Sequence, residues 1–239
     1  MVLSYGSLKA ISEPTFISTP LCSLITFADK LSREYTKYKI DNERINIGKN
    51  VSSLLWDSQW AKENHFGLTV DKQYHIKILE WLIEQSKYKI HIIPHVIDLE
   101  QPNARENDYR VCLQLKKKYG DKIEIAPPFN TPIEAKSYIA NMDVFIGSRM
   151  HATIGSISSG VATIPFSYSR KFEGLFGNLE YPYVISARKF SLEEALEKSK
   201  SWIQNYEILK GCGQKSVVES YAKLELLEND IRCLLEKRK

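Results

Sequence analysis

From Ile45 onward the apolar residues of this chain change period repeatedly, passing from short strand-like runs to helix-like stretches and back. A chain that alternates in this way buries its strands between helices, so the pattern predicts an α/β fold with a parallel sheet flanked by helices. Strands are expected at Lys89 to Ile97, Lys122 to Ala126, Asp143 to Gly147, Ala162 to Phe166 and Tyr183 to Ile185, with Ile45 to Leu55 a strand running into a loop. Between them Tyr74 to Gln85 places Ile78, Leu79, Leu82 and Ile83 on one helical face, and a second helix over Asp108 to Tyr119 stops at Gly120. Thr131, Pro132 and Glu134 form an N-cap arrangement that opens a helix through Asn141, and further helices cover Met150 to Ser159 and Arg170 to Phe176.

Three regions follow from this reading. Residues 1–44 lack a full set of strand and helix signals and read as an N-terminal extension or the remnant of a preceding domain. Residues 45–190 form a Rossmann-like α/β domain, and residues 191–239 supply two charged helices, Ser191 to Leu209 and Val217 to Glu236, that pack on the sheet. With 43% hydrophobic residues a proper core is available, and the net charge of +4 suits an anionic ligand without requiring nucleic acid. The lysine run Lys116, Lys117, Lys118 reads as a solvated helix face, so no nucleic-acid partner is expected. Cys22, Cys112, Cys212 and Cys233 are scattered, which suits a reducing cytoplasm and suggests neither a disulfide framework nor a zinc site. His65, His75 and His91 also lack ligand spacing, and no metal is assigned. No secretory signal or bilayer-length apolar run is evident, so membrane association would be peripheral, at the inner membrane face. The glycines form no dinucleotide fingerprint, so no nicotinamide cofactor is expected.

The residues with most chemical content lie in Asp143-Val144-Phe145-Ile146-Gly147-Ser148-Arg149-Met150-His151, where a buried strand turns into a helix. The first N–H groups of such a helix favour a phosphate or carboxylate. Ser148 is the expected N-cap, placing Arg149 and His151 in the first turn. Arginine offers a planar fork to an anion and histidine exchanges a proton near neutral pH. The alternative is that Arg149 makes a surface ion pair and His151 packs in the core. A second polar and cationic turn, Ser167-Tyr168-Ser169-Arg170-Lys171, follows the next strand, and Lys171 should face the rim that holds His151, with Arg170 competing for that role. Ser52, Ser53 and His95 stand just after strands and could line the same cleft, although a histidine after Pro94 equally suits a turn. Asp143, at the far end of its strand, reads as structural.

Ser148-Arg149-Met150-His151, the strand Gly160-Val161-Ala162-Thr163-Ile164-Pro165 and the downstream Tyr168-Ser169-Arg170-Lys171 resemble the Arg-x-His signature, glycine-proline strand and lysine of the polysaccharide pyruvyl transferase family. Asn50 to Leu55 and Ile92-Ile93-Pro94-His95 extend the resemblance, which covers about Ile45 to Ser186. It implies one Rossmann-like half of a GT-B-type, two-domain glycosyltransferase fold, with no cofactor and with phosphoenolpyruvate as donor. The acceptor it implies is a sugar of a surface polysaccharide or of its lipid-linked precursor. Arg149, His151 and Lys171 match the active-site positions, with Ser148, Arg170, Ser52, Ser53 and His95 as substrate-binding candidates. The rival readings are a glycosyltransferase that uses a nucleotide sugar and a non-catalytic binding module. Family members carry a complete N-terminal nucleotide-fold domain that is not seen in this sequence.

Overall fold

A computed structural model of the 239-residue chain describes Tyr38, Ile40 and residues 43–57 and 67–236. Cys22 and His65 lie outside the described residues, as does most of the N-terminal region. Six parallel strands form one sheet in the order β3-β2-β1-β4-β5-β6. They are β1 (Ile45–Asn50), β2 (Tyr88–Ile92), β3 (Glu124–Ile125), β4 (Val144–Gly147), β5 (Ala162–Ser167) and β6 (Ile185–Ser186). The helices are α1 (Ser53–Trp56), α2 (Lys72–Ile83), α3 (Asp108–Tyr119), α4 (Pro132–Ile139), α5 (Met150–Ser158), α6 (Arg170–Asn178), α7 (Leu192–Gln204) and α8 (Tyr206–Glu236). The sheet order reverses between β1 and β4, which pair with Ile47 opposite Val144 and Asn50 opposite Gly147. In an open α/β sheet the crevice above such a reversal is where ligands collect.

Side chains alternate across the pleat. Ile47, Ile90, Ile92, Val144, Ile146, Ile164 and Phe166 join Ile78, Leu79 and Leu82 of α2 and Val111 and Leu115 of α3 in the larger core. On the opposite face Phe145 packs with Tyr138 and Ile139 of α4, Met142 beyond its end and Ala152 of α5, and Tyr38 lies edge-on to Tyr138. Gly147 is required by closeness: a Cβ there would stand 2.5 Å from the Phe145 ring and 2.7 Å from Thr153 Cγ2. Gly160 ends α5 with φ +78°, the left-handed conformation that glycine adopts without penalty.

Several boundaries differ from the sequence expectation. The second strand stops at Ile92 instead of Ile97, since the Ile93 N–H still reaches Lys49 O but Pro94 has no N–H to continue the ladder. The third strand shrinks to Glu124–Ile125, and the last falls on Ile185–Ser186, not Tyr183 to Ile185. At the C-terminus the first helix ends at Gln204 instead of Leu209, because Asn205 leaves the helical region at φ −120°, ψ 38°. The second helix starts at Tyr206, not Val217, and runs through Gly211 and Gly213, with Gly213 facing Ile157 and Tyr181. Its buried residues, Leu209, Gly213, Ser216, Val217 and Ser220, all fall in the first half, which makes most of the packing on the domain.

The start of α7 is a capping box, with the Ser191 hydroxyl accepting from the Glu194 N–H and the Glu194 carboxylate accepting from the Ser191 N–H. Ser191→Ala should cost about 1 kcal/mol. Urea unfolding measures this, and an unchanged midpoint would mean that α7 contributes nothing to the cooperative unit.

Candidate active site

The site is built on the carboxyl ends of β1 and β4. Asn50, the last residue of β1, holds the opposite turn: its Oδ1 accepts from the N–H groups of Ser148 (3.3 Å) and Arg149 (2.9 Å), while Nδ2 donates to Ile93 O (3.0 Å). This clamp corrects the expectation that Ser148 caps the helix. The chain stays extended through Arg149 (φ −98°, ψ 124°), which is the N-cap, and α5 begins one residue later. Ser148 is fully buried and its hydroxyl points down, 3.3 Å from His75 Nε2 and 3.5 Å from Asn50 O. The outward N–H groups of the first helical turn are therefore those of Met150, His151 and Ala152.

Arg149 is not a surface ion pair. Its Nη2 lies 2.8 Å from Asp108 Oδ1 and its Nε 3.1 Å from Oδ2, with Asp108 fully buried at the start of α3. Nη2 also donates to Ser53 Oγ (3.4 Å) and Glu106 O (3.2 Å). Asp108 further accepts from the N–H groups of Ser53 (2.9 Å) and Val96 (3.1 Å), so one carboxylate ties together the ends of β1 and β2 and the β4–α5 turn. The guanidinium pKa is raised despite its burial, because Asp108 bonds it. Nη1 is the nitrogen not engaged by described residues.

His151 stands exposed in the first turn of α5, and its pKa is lowered by partial burial and by the charges of Lys171 and Lys136. Lys171, also exposed, is in the first turn of α6 behind the N-cap Ser169, near enough for its charge to act on His151. Arg170 is exposed beside it. His95 falls in the same cluster: burial pushes its imidazole down to about 4, Asp108 opposes this, and His151, Arg149 and Lys136 add to it. His95 Nδ1 and Ser52 Oγ are buried without a hydrogen-bond partner among the described residues, unlike Ser53, which bonds Asp108 and Arg149. Unpaired buried polar atoms are costly, and their presence at the ends of β1 and β2 suits a place where a ligand or ordered water completes the bonding.

Sequence reasoning missed four residues of this site. Asp108 reads simply as a helix start and Asn50 as part of a loop. Lys136, on α4, feels both histidines and lays its stem over Gly155, where a Cβ would stand 3.2 Å from Lys136 Cγ. Lys49 gives a readable signal, since it stands in phase with Ile45 and Ile47 on the core face of a buried strand. Asp143 is structural as expected, accepting from the Asn46 N–H at 2.7 Å. His75 and His91 are buried, and among the described residues no group of three His, Cys, Asp or Glu could hold a metal ion. No helix of the described residues is long and apolar enough to cross a membrane.

Six parallel strands flanked by helices give this chain a fold resembling one Rossmann-like half of a GT-B-type glycosyltransferase. A family model for polysaccharide pyruvyl transferase matches residues 25–170, more than half of the chain, and the chain belongs to that family. No curated protein sequence matches it. Among solved structures, the UDP-forming α,α-trehalose-phosphate synthase of Burkholderia xenovorans is similar at 8% identity and TM-score 0.56, over 89% of this chain and 49% of that one. The α,α-trehalose 6-phosphate synthase of Burkholderia multivorans matches at 9% identity and TM-score 0.54, over 90% and 50%. The E. coli trehalose-6-phosphate protein bound with UDP-2-fluoro glucose matches at 9% identity and TM-score 0.53, over 84% and 49%. The chain thus spans about half the length of the solved structures it matches, and at these identities the likeness is one of fold.

Proposed function

We infer that this chain is the donor-binding half of a pyruvyl transferase that takes phosphoenolpyruvate and builds a pyruvyl ketal on a sugar. The observation that carries the reading is the family match, which spans β1 through β5 and includes Arg149 and His151. In this scheme the outward N–H groups of α5, Lys171 and Lys136 hold the donor phosphate and carboxylate, charges too concentrated for an apolar pocket. Arg149 orders the rim through Asp108 and offers Nη1 to the anion. His151 delivers a proton to the methylene carbon, and a sugar hydroxyl attacks the cationic carbon and gives up its proton. The C–O bond to phosphate then breaks, and a second hydroxyl closes the ketal with loss of its own proton. Net, phosphoenolpyruvate and two hydroxyls become a ketal and inorganic phosphate. The acceptor class is a sugar of a surface polysaccharide or its lipid-linked precursor, met at the inner membrane face.

The second reading, glycosyl transfer from a nucleotide sugar, is favoured by the fold likeness to UDP-forming synthases. Calorimetric titration separates the two. Phosphoenolpyruvate should bind and its affinity should fall as salt rises, because charge pairs in an open crevice are screened. UDP and UDP-glucose should neither bind nor raise the melting temperature. The reverse pattern would replace the first reading by the second.

A further inference from the structure

Beneath the β4–α5 turn, on the α2 side of the sheet, lies a cation that the reaction scheme does not use. Lys49 is fully buried in β1, 2.9 Å from His75 Nδ1 and 5.4 Å from the centre of the Tyr74 ring. No carboxylate pairs with it among the described residues. When Lys49 is protonated it has donors and no acceptor, so Nδ1 accepts and the single ring proton sits on Nε2, which faces Ser148 Oγ at 3.3 Å. Ser148 reaches Asn50 O, and the Asn50 carboxamide holds the N–H groups of Ser148 and Arg149. A line of hydrogen bonds therefore runs from a buried charge, through a neutral imidazole, to the turn that starts α5. Phe166 stacks on Tyr74 at 4.7 Å and meets His75 edge-on at 4.5 Å, walling this line off from water.

Keeping a cation there opposes folding, since an ammonium leaves water without an internal counter-ion. Burial draws Lys49 down to about 7, and burial together with Lys49 holds His75 well below its ordinary value. A buried amine with no partner inside the protein either gives up its proton or is held charged by an anion from outside, and the β4–α5 turn is two hydrogen bonds away, through His75 to Ser148. We propose that Lys49 is a positioning residue for the donor anion, its charge acting through His75 and Ser148 to hold the β4–α5 turn and its N–H groups against the bound phosphate. This rests on the reading that the crevice binds phosphoenolpyruvate.

The test compares the parent with Lys49→Met, which removes charge and donor together, and Lys49→Gln, which keeps a donor for His75 but no charge. Each is titrated calorimetrically with phosphoenolpyruvate and with inorganic phosphate, and each is melted without ligand. Both variants should bind both ligands about tenfold more weakly, the order expected for losing one partly screened charge. Their melting temperatures should stay level or rise, because a neutral residue of similar length avoids the desolvation. A lysine that merely supports the fold gives the opposite pair of results, a lower melting temperature with affinity kept, and that outcome overturns the proposal. Full affinity in Lys49→Gln overturns it as well, and settles the matter even where Lys49→Met does not fold. If the parent binds neither ligand, the donor reading falls and this inference with it; if the parent binds and the variants bind equally, only the inference falls.

Discussion

His151→Ala is expected to lower turnover by a factor on the order of 10² to 10⁴ while phosphoenolpyruvate affinity stays within a few-fold of the parent. That split follows from geometry. His151 is exposed at the first turn of α5, where the proposed anion contacts come from N–H groups and lysines, which would leave the imidazole to move a proton without carrying the ground-state binding. Phosphate release under saturating acceptor gives turnover, and calorimetry gives affinity. Because burial, Lys171 and Lys136 lower the His151 pKa, the proton is present below that lowered value and is lost as pH rises through it. Turnover that needs the protonated ring should therefore decline with rising pH, and Lys171→Met should move the decline to higher pH by removing one of the opposing charges. Normal turnover in His151→Ala with poor donor binding would make the histidine a binding group and refute the proton-delivery role.

Asp108→Ala is expected to cost about 3–5 kcal/mol of stability, the usual consequence of removing one partner of a buried ion pair. The carboxylate is fully buried and holds the Arg149 guanidinium with two backbone N–H groups from other segments. Its loss leaves a cation without its counter-ion and two amides without acceptors at once. Asp108→Asn should cost less, because the carboxamide oxygen still serves part of that set. Urea unfolding provides the comparison, and an alanine variant as stable as the parent would mean that Arg149 reaches out to solvent instead.

Much of the architecture is legible from the period of the apolar residues, because burial between helices imposes that period strand by strand. Caps whose partners lie within one turn are equally legible: Thr131 accepts from the Glu134 N–H as its sequence spacing implies. What fails is whatever depends on residues far apart in the chain. Ser148 has the composition of an N-cap and is not one, since Asn50, 98 positions away, already holds the amides that would define that cap. Arg149 has the look of a free anion clamp, yet its partner Asp108 lies 41 positions earlier in what reads as an ordinary helix start. The sequence reading leaves a gap between Leu209 and Val217, whereas one helix runs through that stretch, with Gly213 beside Ile157 and Tyr181. Lys49 was readable in principle, because a lysine in phase with Ile45 and Ile47 contradicts the burial pattern around it.

The position of β1 and β4 inside the sheet has a consequence for how the site behaves in time. Each is hydrogen-bonded along both edges, whereas β3 and β6 are two-residue strands bonded on one edge only. Amide hydrogens in the two inner strands exchange with solvent only when the domain opens as a whole, while those of the outer strands exchange through fraying. Lys49, Asn50 and the turn at Ser148 therefore belong to the part of the molecule that opens last. Under the proposed reading a donor would meet the carboxyl ends of these strands, and breathing at the margins of the sheet would leave that place undisturbed.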